Sequence, residues 1–93
     1  MGYYVYMLRC ADGSYYTGST NNVDRRVSVH NAGRGAKYTR SRRPVQLVYW
    51  EEWPDKSAAL RRESQLKKRS HREKKQLVQA QRLPSCSQQE KQI

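Results

Sequence analysis

Two short runs rich in tyrosine and β-branched residues, separated by a turn signal, constrain the fold of this chain more than any other feature. Residues 3–10 (YYVYMLRC) and 15–20 (YYTGST) flank Ala11-Asp12-Gly13-Ser14. Strand-forming runs on either side of an Asp-Gly pair predict a β-hairpin. The sequence leaves the length of the turn open, and that length decides which side chains share a face. A two-residue Asp12-Gly13 loop pairs Arg9 with Tyr16 and puts Tyr16 on the face opposite Tyr6. A three-residue Ala11-Asp12-Gly13 loop, with Gly13 bulged in the left-handed region, pairs Leu8 with Tyr16 and brings Tyr6 and Tyr16 together. Tyrosines are common in strands as packing residues, so the hairpin alone argues for structure before chemistry.

After the hairpin the pattern turns helical. Asn21 or Asn22 can cap the first amides, Val23 and Val27 are spaced i, i+4, and Gly33 is a natural C′ stop. Residues 34–44 (RGAKYTRSRRP) hold five basic residues and no acid, which reads as a cationic loop closed by Pro44. Val45 to Trp53 predicts a third strand, ended by Pro54. Asp55 or Ser57 caps a helix running to about Arg69, and Ser70-His71-Arg72-Glu73 has the spacing of a capping box opening a last helix to about Arg82. The order is β-β-α-β-α-α. It predicts an α+β fold in which helices flank a small three-stranded sheet, antiparallel or mixed. Residues 1–82 form one domain, and the polar residues 83–93 have too little to bury and are expected to be disordered.

Charge narrows the partners. The chain has 19 Lys and Arg against 8 Asp and Glu, a net charge of +11. Self-repulsion on that scale is relieved by an anionic partner: nucleic acid first, an acidic protein or membrane surface second, and a merely soluble basic protein as the plain alternative. Cys10 and Cys86 form neither a CxxC pair nor a dense framework, which argues against zinc and disulfide scaffolds and fits a reducing cytosol. No leader precedes the Tyr3-Tyr4-Val5-Tyr6 run and no apolar stretch is long enough to span a bilayer, so a cytoplasmic protein is expected.

Two further positions look chemical. On the helix from Ser57, Glu63 falls four residues after Ala59, three after Leu60 and three before Leu66, in the middle of the apolar stripe. An ionised carboxylate there needs either a cationic partner, such as one of the many arginines, or a metal ion. On the first helix Arg26 and His30 are spaced i, i+4 and project from one face. Together they can hold a phosphate, since arginine matches phosphate oxygens bidentately, or they can simply face solvent.

In this order the residues resemble the GIY-YIG nuclease superfamily, and especially its small, free-standing, single-domain bacterial members. The first motif stands as Tyr4-Val5-Tyr6 and the second as Tyr16-Thr17-Gly18; Asn22-Val23-Asp24-Arg25-Arg26 and His30 follow, and Ala59-Leu60-Arg61-Arg62-Glu63 is similar to the family's metal-binding helix. The resemblance runs from about residue 3 to residue 79. Tyr4 and Thr17 depart from the family name, and Ser19-Thr20 stands where many members carry a lysine or similar polar residue. The resemblance implies a phosphodiester hydrolase using one divalent ion, Mg²⁺ or Mn²⁺. Glu63 would bind the ion, and Tyr6 or Tyr16 would help activate water. Arg26 would stabilise charge on the phosphate, His30 would bond a tyrosine or the phosphate, and Gly18 would leave room beside the scissile group. A tyrosine with an ordinary pKa near 10 is a poor base at neutral pH, so a nearby cation is expected to favour the phenolate.

The expected activity is therefore metal-dependent cutting of nucleic acid, DNA ahead of RNA. The alternative is a nucleic-acid-binding module that keeps the fold with weak or no catalysis. Arg34, Lys37, Arg40, Arg42 and Arg43 in the cationic loop, with Lys67, Lys68 and Arg69 after Glu63, are expected to contact phosphates without reading bases. No separate recognition domain is evident, so low sequence specificity is expected. An activating protein partner fits the superfamily, and no residue here identifies one.

Overall fold

A computed structural model describes residues 2–81. The predicted tail, 83–93, and the helix end at Arg82 lie outside the described residues. The hairpin forms from β1 (Tyr3–Arg9) and β2 (Tyr15–Thr20), antiparallel, with Leu8 opposite Tyr16 and Tyr6 opposite Gly18. The three-residue turn is the one adopted. The Cys10 amide donates to the Ser14 carbonyl at 2.8 Å, and Gly13, at φ +85°, takes the left-handed bulge position that a side chain would strain. Asp12 Oδ1 fastens the loop by accepting from the Ser14 amide and hydroxyl.

β3 (Gln46–Trp53) pairs with the other side of β1, so the order is β2-β1-β3 and the sheet is antiparallel throughout. Its register slips by one residue at Val48, between the Met7–Tyr49 and Leu8–Leu47 pairs. Alternation along the strands gives two small cores. Val5, Met7 and Tyr49 face α3 (Lys56–Lys67) and α4 (His71–Gln81), where Ala59 and Leu66 close over them. Tyr6, Leu8, Cys10 and Val45 face α1 (Val23–Asn31), which contributes Val23 and Val27. The sheet is therefore a middle layer, and nothing on it can be both buried and solvent-facing except at its edges.

The helix ends follow their predicted chemistry. Asn22 and Asp55 are the caps chosen from each pair of candidates, accepting from the Arg25 and Ala58 amides at 3.1 and 2.8 Å. The Ser70–Glu73 box closes reciprocally. α1 stops where Gly33 was expected to stop it, with the Gly33 and Arg34 amides turned back on the His30 and Val29 carbonyls.

Three expectations need correction. The cationic loop contains a one-turn helix, α2 (Lys37–Arg40), so the order is β-β-α-α-β-α-α. The helix carrying Glu63 ends at Lys67 rather than Arg69. Leu60 is 46% exposed and lies off the buried stripe that Ala59 and Leu66 define. At the far edge of the sheet the Gln81 side chain bonds the backbone of Trp50, accepting from its amide at 2.9 Å and donating to its carbonyl. No described helix is long and apolar enough to cross a membrane.

Candidate active site

β2 is an edge strand, and an open cleft of about 400 Å³ wraps around that edge. From the α1 face it receives Tyr6, Tyr16 and Arg26; from the α3 face it receives Ser19 and Glu63. The two sets meet because Gly18 has no side chain. Tyr6 leans across its partner Gly18 toward the edge, so a Cβ at Gly18 would lie 2.7 Å from the Tyr6 hydroxyl and 2.8 Å from Cζ. The space beside Gly18 is thus already filled by a phenol, not left vacant for substrate as expected.

The Tyr6 hydroxyl is held from two sides. It lies 3.0 Å from His30 Nε2, and the Arg26 guanidinium stands beside it. The direction of the first bond follows from the far side of the imidazole. Thr39 Oγ1 donates its proton to the Ala36 carbonyl at 2.9 Å, so at 2.8 Å it must accept from His30 Nδ1–H. That fixes Nε2 as the acceptor, and the Tyr6 O–H donates to it. Burial, then the neighbouring Arg26, holds the His30 pKa below its ordinary value, so the ring is neutral and free to accept.

The same burial works against a phenolate. It pushes the Tyr6 pKa up to about 12 despite the lowering effect of the Arg26 contact. Arg26 on its own therefore does not offset the burial of Tyr6. Tyr16 lies on the same face of the sheet. Its ring packs 5.1 Å from His30 and 6.1 Å from Tyr38, which stacks on it from α2.

Glu63 is the one carboxylate lining the cleft, and its side chain is 16% exposed. Ser19 donates to Oε1 at 2.7 Å, and the Lys67 ammonium lies 2.8 Å from Oε2. The sequence offered an arginine or a metal as its counterion; the resident cation is a lysine one turn along α3. Among the described residues no group of three or more His, Cys, Asp or Glu converges to cage a metal. The oxygen-bearing side chains that line the cleft (the Glu63 carboxylate, the Ser19 and Thr20 hydroxyls and three phenols) suit a hard, hydrated ion such as Mg²⁺ or Mn²⁺ that leaves coordination positions for water and phosphate. The residues present fit such an ion, with Glu63 as its anionic ligand.

Of the expected phosphate contacts, Arg34, Lys37, Arg40, Lys68 and Arg69 are exposed. Arg42 is instead paired with Asp12 at 3.0 Å and stacked 3.9 Å over Tyr38, while Arg43 bonds the Arg40 and Asn31 carbonyls. The sequence reading passed over Ser19 and Thr39 as site residues. Ser19 had one signal, its position directly after the second motif; Thr39 had none, since it reaches His30 only through the fold.

The GIY-YIG catalytic domain family matches residues 2–76. A UPF0213 protein of Natronomonas pharaonis is 55% identical over 76 residues, covering 82% of this chain and 89% of its own length. A UPF0213 protein of Staphylococcus haemolyticus is 51% identical over 76 residues, 82% of this chain and 93% of that one. The solution NMR structure of a UPF0213 protein from Bacillus halodurans superposes with a TM-score of 0.57 at 50% identity, covering 90% and 89% of the two chains. The edge-strand cleft, its two motif tyrosines and these matches lead to one conclusion: the chain belongs to the GIY-YIG catalytic domain family.

Proposed function

We propose that this protein is a metal-dependent endonuclease that hydrolyses phosphodiester bonds in DNA with little sequence preference. The observation that carries the reading is the meeting of Tyr6, Arg26 and Glu63 around the edge of β2, from opposite faces of the sheet. A binding module needs phosphate ligands but has no use for a carboxylate among them, because it would repel the backbone it is meant to hold.

A divalent ion bound at Glu63 supplies Lewis-acid polarisation of the phosphate and lowers the pKa of nearby water. The protein's own part is proton handling and charge. Tyr6 takes a proton from the attacking water on its oxygen as it passes its own along the existing bond to neutral His30 Nε2, so no free phenolate is required. Thr39 keeps His30 in the tautomer that can accept. Arg26 faces the negative charge that builds on the phosphate. Tyr16 walls the cleft, and Lys67 returns its charge to solvent or to the DNA backbone when Glu63 takes another cation.

Cleavage of a DNA panel in Mg²⁺ or Mn²⁺ tests this directly. Tyr6→Phe should lose roughly two to four orders of magnitude in rate, the range of general acid–base catalysis. Glu63→Ala should lose at least as much and should not recover with more metal. Activity that survives both substitutions would exclude the site, and wild-type binding with no cutting would favour the binding-module reading.

A further inference from the structure

A second cleft, of about 360 Å³, opens on the α1 face of the sheet. Tyr4 from β1, Leu47 and Trp50 from β3 and the Asn21–Asp24 segment at the start of α1 line it. It adjoins the cutting cleft: Tyr4 pairs with Thr20, and Thr20 lines the cutting cleft. Trp50 is 37% exposed, and its indole meets the Tyr4 ring edge-on at 5.9 Å. The fold leaves these two rings along one opening. Its volume is within the range of small-molecule sites.

The rim chemistry is the reverse of the rest of the surface. In a chain of net charge +11, this cleft is lined by no lysine or arginine, and its one charged side chain is Asp24. No basic side chain lines it to hold a phosphate. Asn22 already uses its carboxamide oxygen to cap α1, whereas none of the ion pairs among the described residues involves Asp24. Aromatic walls with an exposed carboxylate and carboxamide suit a flat, neutral heterocycle that carries amino groups. Nucleobases stack on such rings, and Asp accepts from the cytosine amino group.

The geometry points to a subsite for one unpaired nucleobase, stacked on Trp50 and read at its amino edge by Asp24, beside the scissile phosphate. This rests on the nuclease reading of the neighbouring cleft. A base inside a duplex has both faces covered and must leave the stack to enter such a site. The favoured substrate is then DNA with an unpaired nucleotide next to the bond that is cut, cytosine above thymine, whose pairing edge carries two carbonyls and no amino group.

Three labelled duplexes test it: blunt, with one unpaired dC, and with one unpaired dT, followed by anisotropy without divalent ion and by cleavage in Mn²⁺. Wild type should bind the dC duplex most tightly and the blunt duplex least. Trp50→Ala should erase that advantage, roughly five- to hundredfold, while blunt-duplex binding stays the same. Asp24→Asn, at an exposed position, should level dC with dT even if the Trp50 variant folds poorly. Equal wild-type affinity for all three duplexes overturns the subsite, as does a Trp50 variant that weakens all three alike. Cleavage without preference removes the subsite and leaves the nuclease, whereas preference without cleavage does the opposite.

Discussion

At the scale of single residues, two glycines do opposite jobs. Gly18 has ordinary backbone geometry but no room, since Tyr6 fills the space where a Cβ would go; Gly13 has open space and a backbone only glycine adopts easily. Gly18→Ala should therefore push the Tyr6 hydroxyl off His30 and cut activity at least tenfold. Gly13→Ala should cost about 1 kcal/mol of stability with activity nearly intact. Thermal melts set beside cleavage rates separate them, and a Gly18 variant with full activity would mean the Tyr6–His30 bond is dispensable. Tyr6, Tyr16, Arg26 and Glu63 stood out through the resemblance to an ordered set of family motifs, whereas strand and helix spacing alone left the face of Tyr16 open and allowed Glu63 a plain ion pair. Ser19 and Thr39 did not stand out, because their bonds to Glu63 and His30 cross elements, and no local period records that. Leu60 misled for a related reason: helical spacing marks a broad stripe, but the narrow sheet covers only the part that Ala59 and Leu66 occupy.

Among the elements, α3 matters most, because it carries both the proposed metal ligand and that ligand's present counterion. Glu63 and Lys67 are one turn apart, so the helix itself holds an ammonium against the carboxylate. The lysine end of the pair is half open to solvent, which keeps the pair weak, worth about 1 kcal/mol. Replacing Lys67 with Ala should tighten Mn²⁺ binding by about two- to fivefold in a calorimetric titration of the protein alone. Unchanged or weaker binding would mean that the lysine does not compete for Glu63. The capped helices and the hairpin were readable from their end signals, each a local arrangement of a few residues. α2 was not, since Lys37–Arg40 has no side-chain cap. Its one turn is held from outside, by Thr39 against His30 and Tyr38 against Tyr16.

For the molecule as a whole, the excess positive charge would set how it meets the proposed nucleic-acid substrate. Among the described residues, Asp12, Glu51 and Glu63 are engaged in ion pairs, with Arg42, Arg62 and Lys67, so those cations are partly neutralised. Tyr38 stacks on Tyr16 from α2, and Lys67 comes within reach of Tyr16 from α3, so both basic segments border the cleft. If Arg34, Lys37, Arg40, Lys68 and Arg69 each meet one phosphate, the salt slope is about −4.5, and raising salt from 50 to 200 mM weakens blunt-duplex binding roughly 500-fold. Lys68→Ala should reduce that slope by about 0.9, and Arg42→Ala should leave it unchanged. A flat response would show that charge is not what holds the DNA. Composition announced this surface, but which arginines were free depended on Asp12, thirty positions from Arg42, and only the fold joins them.

A three-stranded sheet has two open borders, and here they have opposite fates. One is given over to the cleft. At the other, the Gln81 amide presents a donor and an acceptor to Trp50, imitating one rung of a fourth strand. A lone strand border is an invitation to a second copy of the chain, and a small aromatic-rich sheet is a poor place to leave one unguarded. The Gln81 side chain at the end of α4 therefore occupies the backbone donor and acceptor of Trp50 on that border. The β2 border is left as the side where the backbone of the proposed nucleic-acid substrate would approach the sheet.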